Sequence, residues 1–118
     1  MVKSRKAVGR LGEDLALQYL EQCGYQLIEK NYRKGRGEID IIVVRQGLLV
    51  FAEVKSCSYS HRKSMVEDKV SWYQQEKIKQ TAYRYLDENS WNGGIRFDVL
   101  MVYLNEPRTV QHFKGYFD

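Results

Sequence analysis

The sequence predicts an α/β fold in the order helix, three strands, helix, and one or two strands. Two segments place apolar side chains at helical spacing, and β-branched runs of strand length lie between and after them. The 118 residues include one proline and no repeat or low-complexity stretch, so we expect residues 1–118 to form one domain. With 43% hydrophobic residues, a chain of this length can fill a core.

The first predicted element is an amphipathic helix over residues 8–23. Its apolar side chains recur at the i, i+3, i+4, i+7 spacing of one helix face, and a glycine at position 24 follows as a stop signal. These apolar positions are Val8, Leu11, Leu15, Ala16, Tyr19, Leu20 and Cys23.

Three strands are predicted next. Residues 25–33 form a mixed strand, and residues 34–37 form a basic turn whose two glycines allow positive φ. The β-branched runs 38–45 and 48–55 are separated by Gln46-Gly47, which is typical of a β-hairpin. The first third of the chain therefore leads into an antiparallel sheet.

The second half of the chain begins with a polar segment, residues 56–68, which lacks periodicity and predicts a surface loop. A second helix is predicted from Val70, with residues 92–94 (Asn-Gly-Gly) as its stop. Residues 95–104 resemble a strand buried on both faces, and a short last strand is predicted near residues 110–115.

Charge is distributed unevenly along the chain. Nineteen basic and 15 acidic residues give a net charge of +4, and residues 1–36 hold eight basic against four acidic side chains. Residues 37–118 hold eleven of each sign, so the whole excess lies in the first third. This predicts a positive face toward an anionic partner, with nucleic acid preferred to membrane. A solvated charged surface is the alternative.

Two other classes of protein are excluded at this stage. Cys23 and Cys57 match no CxxC spacing and have no nearby histidine, so they indicate neither a zinc site nor a disulfide framework. Residues 1–13 are basic but lack the apolar core of a signal peptide, and no apolar run approaches the length of a membrane span. We therefore expect a cytoplasmic protein with reduced thiols and no membrane partner.

The most informative residues are acids inside apolar strands. Asp40 interrupts an apolar run, where a charged carboxylate costs several kcal/mol unless it is paired or bound to metal. Glu53 and Lys55 project from one strand face about 7 Å apart, and the hairpin brings Asp40's strand beside theirs. Two converging carboxylates suit Mg²⁺, with Mn²⁺ as an alternative, and Lys55 would orient water or offset developing charge. These are the components of metal-assisted phosphodiester hydrolysis.

Alternatives to this interpretation stay open on the residues alone. The acid-x-Lys pattern also occurs at residues 67–69 in a polar segment, so the motif by itself is weak. Asp40 and Lys55 could instead form a buried ion pair, with Glu53 at a solvated strand end. Glu13 supplies a third carboxylate, which could extend the metal site. It lies on the margin of the first helix's buried stripe, beside Gly9 and Gly12 that would allow close approach. Its alternative is a boundary residue stabilised by the helix dipole.

Five blocks of sequence together resemble the YraN-like family of uncharacterised bacterial proteins, over about residues 8–103. By analogy, that family is placed among the restriction-endonuclease-like nucleases of the PD-(D/E)XK type. This implies a three-layer α/β/α core of order αβββαβ with a mixed central sheet, in agreement with the element order read from the residues. The blocks are Gly9-Arg10-Leu11-Gly12-Glu13, Asn31-Tyr32-Arg33, Gly37-Glu38-Ile39-Asp40, Phe51-Ala52-Glu53-Val54-Lys55 and Arg96-Phe97-Asp98.

The resemblance also implies roles for individual residues. Asp40 and Glu53 become metal ligands, Lys55 the catalytic lysine, and Glu13 the acid carried by the helix. The chain departs from the pattern at Ile39, where the superfamily name has a proline. It also has Gln74 where the family tends to carry a lysine early in the second helix, and Lys77, three residues later, is a separate match.

The expected function is a divalent-metal-dependent nuclease acting on DNA, with a homodimer left open. The alternatives are a non-catalytic nucleic-acid-binding module and a protein–protein adaptor on the same scaffold. Aromatic residues near helix ends could stack on bases or pack in the core, and Arg96 and Asp98 are predicted to form a structural pair. The aromatic candidates are Tyr59, Trp72, Tyr73 and Trp91. The predicted phosphate-binding residues are Arg10, Arg33, Lys34, Arg36, Arg62 and Lys63, with His61 beside the last two.

Overall fold

A computed structural model describes residues 5–57 and 70–118, and within them two helices and five strands. The chain order is α1 (Arg5–Gln22), β1 (Gln26–Lys34), β2 (Gly37–Arg45), β3 (Leu48–Cys57), α2 (Trp72–Glu88), β4 (Gly94–Tyr103) and β5 (Thr109–Phe117). No helix in this part of the chain has the length and apolar character needed to cross a membrane.

The five strands form one mixed sheet in the order β1-β2-β3-β4-β5. Strands β3 and β4 pair in parallel, and the other three pairs are antiparallel. A parallel pair needs a crossover connection, and α2 lies in the connection between β3 and β4. The α/β fold and the order αβββαβ predicted from the sequence are therefore confirmed, and the last strand predicted near residues 110–115 is the edge strand β5.

The two helices cover opposite faces of this sheet, because strand side chains alternate in direction. Ala16 and Leu20 of α1 pack on one face, against residues that include Val50 and Ala52 of β3. On the other face the core cluster includes Ile78 of α2 and Phe51 of β3. Each of these core side chains is at most 6% exposed, so the molecule has the three layers expected of an α/β/α core.

Element boundaries differ from the sequence predictions in two informative places. Ser56 and Cys57 were expected in a loop, but they belong to β3 because parallel pairing with β4 continues as far as Cys57. Helix α2 ends at Glu88, short of the predicted Asn-Gly-Gly stop, because the side chain of Asn89 donates to the carbonyl of Tyr85 and caps the last turn. The rest of the predicted loop, residues 58–68, lies outside the described residues.

Two local features of the sequence prediction are confirmed. The basic turn between β1 and β2 carries Gly35 at φ +60°, a conformation that glycine adopts without strain. Both cysteines are free, one buried at position 57 and one half-buried at position 23. The turn packs against α2, next to the acidic residues of β2 and β3.

Candidate active site

Two acidic side chains meet at the end of the paired register between β2 and β3. The register runs from Arg45 opposite Leu48 to Ile41 opposite Ala52, and Asp40 is the next residue on β2. Asp40 Oδ2 accepts a hydrogen bond from the backbone N–H of Val54 at 2.8 Å. A side-chain oxygen thus serves a strand N–H that needs an acceptor, which holds the carboxylate of Asp40 between the two strands.

Glu53 lies beside Asp40 and is largely buried, with 14% of its side chain exposed. Burial, a hydrogen bond with Asp40 and the charge of that carboxylate raise the pKa of Glu53 to about 9, against a smaller lowering by Lys55. Two carboxylates in contact disfavour each other's charge, so Glu53 favours its protonated form while no metal is bound. A positive ion in the place of that proton would relieve the repulsion.

Lys55 has Glu53 as an ion-pair partner, with Nζ 4.0 Å from Oε1 and 21% of the lysine side chain exposed. Both residues lie on the α2 face of β3, as their spacing predicted. The alternative interpretation placed Glu53 at a solvated strand end. That part of it is wrong, because β3 continues for four residues beyond Glu53 and the side chain is mostly covered.

Glu13 reaches the same region from α1. Burial and the charge of Asp40 raise its pKa, against a hydrogen bond with Asn31 that lowers it. The neighbouring Gly12 explains the close approach, because a Cβ at this position would overlap Ser56 Oγ on β3. Gly9, which was predicted to share this function, has no atom within 4 Å of a Cβ built on it. Only Gly12 is therefore required by packing.

The chemistry of these donors fits a hard divalent cation. Mg²⁺ is commonly held by one or two carboxylates and completes its shell with water and substrate phosphate oxygens. Asp40 and Glu53 supply the two carboxylates, and the field of Asp40 reaches Glu13. Among the described residues no three His, Cys, Asp or Glu side chains are arranged to hold one metal ion together. The directly contacting pair, rather than a complete three-ligand cage, is what the chain supplies.

Glu53 also lines a cavity of about 130 Å³ on the α2 side of the sheet. Both α2 residues that the sequence singled out line it, Gln74 and Lys77. Gln74 belongs to the capping box of α2, since its backbone N–H donates to Ser71 Oγ at 3.2 Å. Lys77 is thus the cation that α2 brings to the cavity, with Nζ 5.6 Å from the centre of the Tyr73 ring.

The predicted phosphate-binding residues fall into three groups. Lys34 and Arg36 flank the turn against α2, in the region of this cavity. Arg33 is 73% exposed and pairs with Glu38 at 3.4 Å, while Arg10 is exposed on α1. The residues predicted on the 56–69 loop, Arg62 and Lys63 with His61, lie outside the described residues, as does Tyr59.

Arg84 was missed by the sequence prediction, and Lys77 was singled out only as a match to the family's lysine, not as a phosphate-binding cation. Lys77 and Arg84 of α2 lie beside Lys34 and Arg36 and line one basic cavity with them. The missed signal was the spacing of Lys77, Thr81 and Arg84, which is i, i+4, i+7 and puts all three on one helix face. Nothing in the local sequence indicated that this face would meet the turn at residues 34–37.

The predicted structural pair of Arg96 and Asp98 is confirmed. Arg96 donates to both Asp98 oxygens at 2.7 Å, His112 Nε2 lies 2.6 Å from Oδ2, and the N–H of Gly115 donates to Oδ1 at 2.9 Å. Burial raises the pKa of Asp98, but these bonds outweigh it and hold the value at about 2. Asp98 therefore stays ionised inside the fold.

The aromatic candidates in the described residues separate clearly. Trp72 and Tyr73, at the start of α2, are 72% and 67% exposed. Trp91 packs against the core, and its indole N–H donates to the carbonyl of Gly94 at 3.1 Å. Trp72 and Tyr73 are thus available for stacking, whereas Trp91 has a structural partner.

Comparison with known proteins gives a consistent result. The model of the uncharacterised protein family UPF0102 matches residues 12–102, a range that includes Glu13, Asp40, Glu53 and Lys55. A UPF0102 protein of Cytophaga hutchinsonii is 43% identical over 94 residues, which is 80% of this chain and 82% of that protein. A UPF0102 protein of Desulforamulus reducens is 40% identical over 113 residues, 93% and 92% of the two chains. One of Alkaliphilus metalliredigens is 36% identical over 113 residues, 95% and 98% respectively.

Proposed function

The chain belongs to the uncharacterised protein family UPF0102, and on that premise we propose that it is a divalent-metal-dependent nuclease that hydrolyses phosphodiester bonds in DNA. The observation that carries the proposal is the contact of two carboxylates, Asp40 and Glu53, with Lys55 on the same strand face as Glu53. Two carboxylates in contact inside a protein are unusual, because each disfavours the charge of the other. The chemistry of this pair is that of a metal-assisted hydrolase.

Asp40 and Glu53 would hold Mg²⁺ or Mn²⁺, with Glu13 approaching from α1. The ion would supply positive charge and Lewis acidity at the phosphate when bound. Lys55, 4.0 Å from Glu53, would orient the attacking water and offset negative charge as it develops on the phosphate. The backbone N–H of Val54 keeps Asp40 in place during these steps, since it donates to Oδ2.

DNA as the substrate is supported by the charges around the site. Arg36 and Lys77 line the same cavity as Glu53, so cations flank the carboxylates where a phosphate strand would run. Exposed Tyr73 lines this cavity as well and offers a ring to a base. Cations for a phosphate and an aromatic ring for a base thus lie in one cavity with Glu53.

Cleavage assays with labelled DNA in Mg²⁺ or Mn²⁺ test the proposal. We expect cleavage by the wild type and loss of at least about 100-fold in Asp40→Asn, Glu53→Gln and Lys55→Ala, as is typical when a group acting on the transition state is removed. Asp14→Asn is the matched control, because Asp14 is exposed and pairs with Lys30 on the surface. Equal cleavage in all variants would contradict the proposal.

The same assay separates the nuclease from the binding module. A protein that binds DNA in a salt-sensitive way but cleaves none with either metal would be a nucleic-acid-binding module on this scaffold. The specific observation behind this second candidate is that the described residues hold no three-ligand metal cluster. A protein that neither binds nor cleaves nucleic acid would leave the adaptor hypothesis.

A further inference from the structure

A second cavity of about 130 Å³ lies between the β1–β2 turn and the middle of α2. It is separate from the cavity that contains Glu53, but the two share Arg36, Gly37 and Lys77 as lining residues. On this measure one water needs only ~10–15 Å³, so the space is large enough for a group of the size of a phosphate. The cavity therefore has the size and the position for a phosphate next to the carboxylate pair.

The lining of this cavity is cationic. Lys34 and Arg36 come from the turn and Lys77 and Arg84 from α2, and the lining includes no acidic side chain. Lys34 is paired with Glu88, whose second partner is the hydroxyl of Tyr32 at 2.6 Å. Within residues 5–57 and 70–118, Arg36, Lys77 and Arg84 form no ion pair. Three positive charges thus remain for a ligand.

Two glycines allow the turn to lie against the helix in this way. A Cβ at Gly37 would overlap Thr81 Oγ1 on α2, so only glycine permits the contact. Gly35 adopts φ +60°, and a Cβ there would lie 3.2 Å from the guanidinium of Arg84. The packing of Gly35 and Gly37 therefore holds the cations of the turn close to those of the helix. Cations held this close repel one another until an anion binds.

We propose that Lys34, Arg36, Lys77 and Arg84 form a phosphate-binding pocket adjoining the carboxylate site. The assignment of this phosphate to a DNA strand rests on the proposed nuclease function; the pocket itself follows from the cations and the cavity. The ligand is either an internal phosphodiester of the strand or the monophosphate at its end. Arginine pairs well with either, because its planar fork matches the oxygens of a phosphate.

The test is DNA binding without metal, so that cleavage does not enter. Fluorescence anisotropy in EDTA measures the affinity of a labelled single-stranded oligonucleotide with and without a 5′-phosphate, over a series of salt concentrations. We expect Lys77→Ala and Arg84→Ala each to weaken binding about tenfold and to lower the slope of log K against log salt by about 1. Arg108→Ala is the control, since Arg108 is an exposed cation that pairs with Glu106.

The two oligonucleotides distinguish the two sources of phosphate. If the pocket holds the strand end, the variants lose the preference for the 5′-phosphorylated oligonucleotide and little else. If it holds an internal phosphodiester, they weaken both oligonucleotides equally. Arg36→Ala, in the turn, is a second variant that leaves α2 untouched. An effect of Arg108→Ala equal to that of all three pocket variants would overturn the proposal.

A failure of the pocket can be told apart from a failure of the nuclease proposal. Asp14→Asn should keep the phosphate-dependent binding in EDTA, because Asp14 is exposed, pairs with Lys30 and lines neither cavity. Inorganic phosphate, titrated into ¹⁵N-labelled protein in EDTA, should shift the amide signals of Gly35 and Gly37 before those of α1. Binding without cleavage would retain the pocket and remove the nuclease, and cleavage with no effect of the pocket variants would do the reverse.

Discussion

Glu53 and Asp98 are largely buried acids on neighbouring strands, and their surroundings shift their pKa values in opposite directions. Asp98 pairs in register with Ala52, the residue before Glu53, but the two acids lie on opposite faces of the sheet. Asp98 receives two bonds from Arg96, one from Gly115 and a contact from His112, and its pKa is held at about 2. Glu53 faces Asp40, and its pKa is raised to about 9.

We call Asp98 satisfied, because hydrogen-bond donors surround it, and Glu53 unsatisfied, because a second carboxylate contacts it although Lys55 Nζ lies 4.0 Å away. Around Asp98 the chain provides enough donors for an ionised carboxylate, and the network continues to Tyr25 through Arg96 and to Tyr19 through His112. Beside Glu53 the chain places a second acid. Burial alone therefore does not mark a functional acid, because Asp98 is fully buried and structural. The distinguishing feature is a neighbour of the same sign.

The largest expected effect is the loss of stability when the carboxylate of Asp98 is removed. Asp98→Ala leaves the guanidinium of Arg96 and the ring of His112 without their acceptor inside the fold. We expect the free energy of unfolding to fall by about 3–5 kcal/mol, as measured by urea denaturation. Asp14→Ala, which removes an exposed acid, should cost no more than about 0.5 kcal/mol. Equal losses of unfolding free energy in the two variants would contradict a structural role for Asp98.

The second prediction concerns the binding of Mg²⁺ by Asp40 and Glu53. Mg²⁺ at 100 times its dissociation constant should stabilise the wild type by about 2.7 kcal/mol, because it binds the folded state only. Glu53→Gln should abolish this gain in stability, since an amide adds no charge to attract the ion. The Asp98 carboxylate should not contribute to the gain. Thermal unfolding with and without Mg²⁺ measures the effect. An undiminished shift in Glu53→Gln would place the metal elsewhere.

The pH dependence of stability should differ in sign between the two acids. For Asp98 the folded pKa is below the unfolded value of about 3.9, so its contribution is present above that pH and disappears as the pH falls toward 2. For Glu53 the folded pKa of about 9 is above the unfolded value near 4.5. Between these values the folded state binds more protons than the unfolded state, so metal-free stability falls as the pH rises.

The slope attributable to Glu53 cannot exceed about 1.4 kcal/mol per pH unit. Urea denaturation in EDTA at a series of pH values from 5 to about 9 measures it, and Glu53→Gln should flatten the slope in that window while the acid limb below pH 4 persists. A slope that is the same in wild type and variant would show that Glu53 ionises normally in the folded protein.

Much of this arrangement could be predicted from the sequence because its signals are local. The helical spacing of residues 8–23, the hairpin residues Gln46-Gly47 and the position of Asp40 in an apolar run all act within a short stretch of chain. The pairing of Arg96 with Asp98 was predictable for the same reason. Each of these inferences needed only the period of a helix or a strand.

The remaining features depend on contacts between distant segments. His112 and Gly115 reach Asp98 because β5 pairs with β4 through a register shift between Phe97 and Val99, which no local pattern specifies. Lys77 and Arg84 join Lys34 and Arg36 because two glycines let a turn lie on a helix that begins 35 residues later in the chain. Such contacts follow from tertiary packing, so Arg84 was missed and Lys77 was not assigned to the cationic cavity.

The smallest expected effect concerns the two tryptophans of the chain, of which one has a hydrogen-bond partner within the fold and the other is exposed. The indole N–H of Trp91 donates to the carbonyl of Gly94, whereas Trp72 is 72% exposed at the start of α2. We expect Trp72→Ala to weaken single-stranded DNA binding by about 1 kcal/mol without changing stability. In Trp91→Phe the remaining emission belongs to Trp72, and DNA added in EDTA should quench it. In Trp72→Phe the emission of Trp91 should not respond, and quenching there instead would mean that bases do not stack at the start of α2.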